Sequence, residues 1–202
     1  MRGGFSRTFV PRHPIARFKQ EDVSVLKFVI VIVAVLAVGV AGVVGYAAMT
    51  QPDTFRVERK TTIAASPEKL TGILSDLRRG AEWSPYEKKD PAMKKTFSGP
   101  ATGPGAKLAW DGNGDVGAGS LTVADVTPSK VTLDLEMTRP MNANNVVEYT
   151  FVPQGNATTM TWAMHGPMPL ISKVICVFMN FDRMVGDDME RGLKDLKALA
   201  ER

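Results

Sequence analysis

His165 and Cys176 are the first residues to weigh as chemistry, since the histidine is the only one beyond residue 50 and the cysteine is the only one in the chain. A histidine working as a general base needs a nucleophile folded within hydrogen-bond reach. Ser84, Ser120 and Cys176 are the candidates, and no nucleophile motif surrounds any of them. His165, next to Gly166, reads instead as a polar residue at a strand end. A single cysteine excludes an intramolecular disulfide and a thiolate metal cage. Asp90, Glu136 and Glu148 are the carboxylates to consider as general acid or base. That work requires a pocket that shifts the pKa, and the sequence shows no such pairing, so they read as solvated charges of strands and loops. The expected catalytic set is empty.

Gly112-Asn113-Gly114-Asp115-Val116-Gly117 fits G-x-G-x-x-G. That pattern binds a dinucleotide by leading a strand into a helix whose N-terminus holds the pyrophosphate. Strand-like sequence follows here, which predicts a glycine-rich hairpin turn. Asp111, Asn113 and Asp115 have the spacing of a calcium loop, but Val116 and Thr122 stand where that loop requires Gly and a bidentate Glu. Neither a metal site nor a cofactor is expected.

What remains is an apolar inventory. Trp83, Trp110, Met137, Trp162, Met164, Phe178, Phe181 and Met184 are the residues expected to line a cavity between a sheet and a final helix. Methionine is flexible and polarizable and suits an adaptable wall, although such residues also fill ordinary cores.

The elements that must position these side chains follow from periodicity. Residues 55–64 alternate as a strand with one buried face. Ser66-Pro67-Glu68 then supplies an N-cap, a proline at the first helical position and an acidic first turn. Leu70, Ile73, Leu74 and Leu77 continue at helical spacing until a break near Gly80, before an aromatic turn at Trp83-Ser84-Pro85-Tyr86. Short β-type runs follow at 93–98, 106–110, 116–126, 130–137, 146–152 and 158–164, separated by Gly, Asn and Pro. Turns this short join antiparallel neighbours, because parallel pairs need long crossovers. From residue 168 to 202 the apolar spacing is helical again, predicting one long helix or two joined near residues 166–169, with Asp187, Asp188 and Glu190 on the wet side.

Ahead of this domain, residues 28–49 carry no charge and are almost entirely Val, Ala, Gly, Ile and Leu. As a helix the run covers about 33 Å, enough for a hydrocarbon core of roughly 30 Å. It is longer than the apolar region of an ordinary signal peptide, and no polar face marks it as a soluble core helix. Residues 1–27 form a basic leader and 50–54 a hinge. Of the 25 basic and 21 acidic residues, six and two precede the span, leaving nineteen of each for everything after it. The domain is therefore formally neutral, without the basic footprint of a nucleic-acid binder. The positive-inside tendency places the leader in the cytoplasm and the domain on the other side of the membrane.

Several short pieces in fixed order sharpen the picture: Phe55-Arg56-Val57-Glu58-Arg59, Ala65-Ser66-Pro67-Glu68, Trp83-Ser84-Pro85 with Asp90-Pro91, Trp110-Asp111-Gly112-Asn113 and Val116-Gly117-Ala118-Gly119. Thr161-Trp162-Ala163-Met164, Asp182-Arg183-Met184-Val185-Gly186 and Glu190-Arg191-Gly192-Leu193 complete them. Through these, residues 55–202 resemble the SRPBCC superfamily, also described as START-like or polyketide cyclase/dehydrase-like. The resemblance implies an α+β helix-grip fold, a seven-stranded antiparallel sheet wrapped around a long C-terminal helix, with a cavity for a lipid, sterol or polyketide. It does not by itself imply an enzyme, and no cyclase residue set transfers. The expectation is a single-pass, membrane-tethered domain that binds a hydrophobic small molecule or lipid. Its alternatives are an enzyme on a hydrophobic substrate and a ligand-free interaction module.

Overall fold

The computed structural model describes residues 20–202, with side chains from Val25 onward. Arg2, Arg7, Arg12, Arg17 and Lys19 of the basic leader lie outside the described residues. The chain divides between Tyr46 and Ala47 into two units. Helix α1 (Gln20–Thr50) contains the apolar run, and Val25–Thr50 is long and apolar enough to cross a membrane. Its large apolar side chains from Val25 to Val40, with Tyr46 and Met49, are exposed rather than packed as in a core helix.

The second unit opens with strand β1 (Thr54–Ile63). Helix α2 (Pro67–Leu74) starts as its residues dictate: Ser66 Oγ accepts the Lys69 N–H at 3.3 Å, and Pro67 occupies the first turn, where no intrahelical donor is needed. A 3-10 turn (Leu77–Arg79) leads into two short helices, α3 (Gly80–Trp83) and α4 (Pro85–Lys89). The expected aromatic turn is thus a pair of helical turns hinged at Ser84, whose extended backbone suits the residue before a proline.

Six further strands follow, β2 (Lys94–Ser98), β3 (Lys107–Asp111), β4 (Ala118–Thr127), β5 (Lys130–Arg139), β6 (Ala143–Gln154) and β7 (Ala157–Pro167). They form one antiparallel sheet in the order β1-β7-β6-β5-β4-β3-β2. Every step but one joins sequence neighbours, as short turns require; β1 alone pairs across the sequence, with β7.

The C-terminal segment is two helices, α5 (Leu170–Phe178) and α6 (Phe181–Ala200). The junction falls at Met179-Asn180, not at 166–169. Met179 is extended, and Asn180 Oδ1 accepts the Arg183 N–H at 2.9 Å, so the asparagine caps a new helix. Val185, Met189, Leu193 and Leu196 turn one stripe of α6 into the core against Val57, Tyr149 and Trp162. Asp188 is a correction: it is only 5% exposed, because its spacing from Val185 and Gly192 puts it on that inward stripe.

Candidate functional site

Partners directly opposite in an antiparallel sheet share a face, and the register sorts the candidate residues accordingly. Trp110 pairs with Gly119 and Gly119 with Met137, while Leu121 pairs with Leu135. Val147 pairs with Met164, which pairs in turn with Val57; Tyr149 pairs with Trp162. Period-two alternation along the strands puts Trp110, Met137, Trp162 and Met164 on one side. It is the side that packs on α6, since Val57, Tyr149 and Trp162 belong to the core shared with that helix.

This inner face has two regions. In the first, Trp83, Tyr149 and Trp162 pack edge to face or tilted, with ring centroids 5.5 to 6.2 Å apart. Gly192 lets α6 come this close, for a Cβ there would lie 2.7 Å from Trp162 and 2.9 Å from Pro85. Both buried indoles, Trp83 and Trp162, have no hydrogen-bond partner for Nε1. Burial pushes the Tyr149 and Tyr86 phenols well above their ordinary range, so both stay neutral.

In the second region the core thins. Trp110, Leu121, Leu135, Met137 and Met164 are half-buried on the inner face, beside the filled core rather than within it. Trp110 packs against Gly119, where a Cβ would come within 3.0 Å of the indole, and its Nε1 donates to Val116 O at 3.2 Å. Together these side chains make a half-buried apolar row, the trough, along β3, β4, β5 and β7.

Phe178 and Phe181 are placed elsewhere, in an open groove of about 520 Å³ between the start of β1 and the α5–α6 junction, lined also by Phe55, Val57, Met168 and Cys176. Phe181 stacks edge-on to Phe55 at 5.0 Å. Phe178 is largely exposed, as is Met184 on α6. Burial pushes the Cys176 thiol up, which keeps it protonated at neutral pH.

The polar candidates face away from the trough. His165 and Glu148 lie on the outer side of the sheet, His165 Nε2 being 3.3 Å from Glu148 Oε2. Glu148 also meets Lys130 and Arg56, each at 3.5 Å. Burial raises its carboxyl pKa, but Lys130, His165 and Arg56 together outweigh that and hold it below the ordinary value. Glu136 takes the Ser120 hydroxyl at 3.1 Å on the same outer side. The glycine-rich stretch is a hairpin turn, closed by Gly112 N–H to Gly117 O at 2.9 Å. Asn113 Oδ1 caps the amides of Asp115 and Val116, Asp111 pairs with Arg139, and Asp90 Oδ2 accepts the Asn113 N–H at 2.7 Å. These oxygens are committed to the turn.

Sequence reasoning missed the charged group under α6. Asp188 Oδ2 lies 2.6 Å from Lys89 Nζ, and Arg191 pairs with the other oxygen, near the partly buried Tyr86. The signal was available in the helical spacing that makes Asp188 an inward residue.

A seven-stranded antiparallel sheet packed on a C-terminal helix defines the helix-grip class of α+β domains. The chain belongs to the family described as polyketide cyclase / dehydrase and lipid transport, whose model matches residues 54–201. No match is found among curated proteins. Solved structures of similar fold include a protein of Chromobacterium violaceum, at 15% identity over 75% of this chain and 99% of that one, with a TM-score of 0.52. The di-domain ARO/CYC StfQ from the steffimycin biosynthetic pathway gives 12%, 73% and 51%, with a TM-score of 0.54. Major latex-like protein 151 of Panax ginseng gives 11%, 75% and 100%, with a TM-score of 0.51. At such identities the likeness is one of fold.

Proposed function

We propose that this protein is a membrane-tethered binder of a hydrophobic small molecule or lipid, held against the inner face of the sheet. The observation that carries the reading is the row of half-buried apolar side chains, Trp110, Leu121, Leu135, Met137 and Met164, left beside a filled core on the helix-facing side. Covering such a row with an apolar ligand gains about 25 cal/mol per Å² removed from water. Trp83 and Trp162 belong to the filled core behind the row, and Phe178, Phe181 and Met184 lie apart from it, at the α5–α6 end. The family description, which joins polyketide chemistry with lipid transport, supports the same ligand class. Helix α1 holds the domain at the membrane as a single-pass anchor, and the basic residues ahead of it favour a cytoplasmic N-terminus with the domain on the opposite side.

A photoreactive fatty acid tests the reading. The full chain is reconstituted in phosphatidylcholine nanodiscs with a diazirine-bearing fatty acid, irradiated, and its cross-linked peptides are mapped by mass spectrometry. Labels are expected on the strands that carry Leu121, Leu135 and Met137, and Met137→Lys should reduce them severalfold. Labelling confined to α1 would leave the trough without a ligand and sink the proposal.

A further inference from the structure

Helix α5 is nine residues long, and Lys173 is its only charged side chain. That lysine does not face water: it is 8% exposed, and its Nζ lies 2.6 Å from Asp53 Oδ1. The outward side of α5 is apolar instead. Ile171 and Phe178, seven residues apart and so on one helical face, are 59% and 72% exposed, and Leu170, Met179 and, in the first turn of α6, Met184 are exposed as well. Soluble surfaces seldom carry a contiguous apolar helix face without something that covers it.

The chain says what is near. Helix α1 ends at Thr50, and Asp53 follows three residues later, a stretch of at most about 11 Å. Asp53 is bound to α5 twice over: its carboxylate meets Lys173, and its carbonyl accepts the Met168 N–H at 2.7 Å just before the helix begins. Whatever surface α1 emerges from, α5 is held within a few residues of it. An amphipathic helix placed there buries its apolar face roughly 5 to 10 Å into the headgroup and acyl boundary.

We infer that the outward face of α5, from Leu170 to Phe178 with Met179 and Met184, lies in the bilayer interface of the membrane that α1 crosses. The inference rests on the membrane-anchor part of the proposal above and is independent of which side the domain occupies. Since the only charged side chain of α5, Lys173, is turned inward to Asp53, attachment of the helix rests on apolar burial, and anionic lipid and low salt are not required.

Depth-dependent quenching decides it. In the full chain, Cys176→Ser frees the protein of its native thiol, and single cysteines carrying a fluorophore are placed at Ile171, Phe178, Val35 and Asn156. Asn156 lies in the β6–β7 turn, at the opposite end of β7 from α5, about 35 Å away along the strand. The proteins are reconstituted in phosphatidylcholine vesicles with nitroxide lipids labelled either near the headgroup or near the chain terminus. Ile171→Cys and Phe178→Cys are expected to be quenched severalfold more than Asn156→Cys by the shallow nitroxide, and Val35→Cys most by the deep one. Phe178→Cys quenched only by aqueous iodide, with Val35→Cys still deep, overturns the inference and leaves the anchor standing. Protection from both lipid and aqueous quenchers points to a second copy on the patch and likewise overturns it. Loss of deep quenching at Val35→Cys removes the anchor, and the inference with it.

Discussion

The exposed carboxylate of Asp53 caps the buried ammonium of Lys173: Oδ1 and Nζ lie 2.6 Å apart, with the lysine side chain 10% exposed and the aspartate 96%. The hydrogen bond from Lys173, and then its charge, hold the Asp53 carboxyl below its ordinary 3.8. A depressed folded-state pKa contributes fully above the ordinary value and is lost as the pH falls through the depressed one. The docking of α5 is therefore expected to be independent of pH at neutrality and to weaken only below about 3.8. Asp53→Asn imitates the protonated state at neutral pH, leaving an ammonium in the protein without its counter-charge. Hydrogen exchange should show faster exchange of the α5 amides in that variant, with the β-sheet amides unchanged; equal rates would mean that the pair does not hold the helix.

Arg59 of β1 crosses the face of α6 at Gly186. Its Nε reaches Glu190 Oε1 at 2.9 Å and its Nη2 reaches Asp182 Oδ2 at 3.0 Å, so a methyl group at position 186 would collide with the guanidinium. Gly186→Ala is expected to push the flexible guanidinium off Asp182 and Glu190 and to destabilise the domain by about 1 kcal/mol or less, helix propensity offsetting part of the loss. Gly72, inside α2, has open space where its Cβ would stand. Gly72→Ala should therefore stabilise by about 0.5 to 1 kcal/mol through helix propensity alone. Chemical denaturation of the two variants separates the effects by their opposite signs.

The cluster of His165, Glu148, Arg56 and Lys130 sits on the outer face of the sheet, opposite the trough. His165→Ala and Glu148→Gln are expected to leave photolabelling of the strands at its wild-type level and to cost about 1 kcal/mol or less in stability. A severalfold loss of labelling in either variant would instead tie this face to the ligand.

Much of this architecture was legible in the sequence because local rules decide it. Ser66-Pro67 starts α2 where capping chemistry puts it, and the turn residues between β-type runs gave the antiparallel order. The hairpin reading of Gly112–Gly117 followed from the strand-like residues after it, and the structure has the turn there. The failures lie where tertiary contacts decide. Asp188 reads as solvated from its type, but Lys89, remote in sequence, meets it under α6. Lys173 gave no local sign of turning inward toward Asp53. The eight apolar residues were grouped by type, whereas the fold sends Trp110, Met137, Trp162 and Met164 to one face of the sheet and Phe178 and Phe181 to a groove beyond its edge.

Trp110 is the residue that a ligand in the trough must meet. The chain has three tryptophans and none before residue 83, so α1 contributes nothing to tryptophan emission, Tyr46 being its one tyrosine. Trp83 and Trp162 are buried in the aromatic core, with unpartnered indole N–H groups, behind the trough rather than in it. Trp110 is half-buried, and its ring is held in place by Gly119 and by the hydrogen bond to Val116 O. A brominated fatty acid quenches only the indoles it touches. Added to the full chain in nanodiscs, it is expected to quench part of the emission, and Trp110→Phe should abolish most of that quenchable part, while Trp83→Phe should preserve it. Quenching that survives in Trp110→Phe at the wild-type level would move the ligand out of the trough and toward the aromatic core.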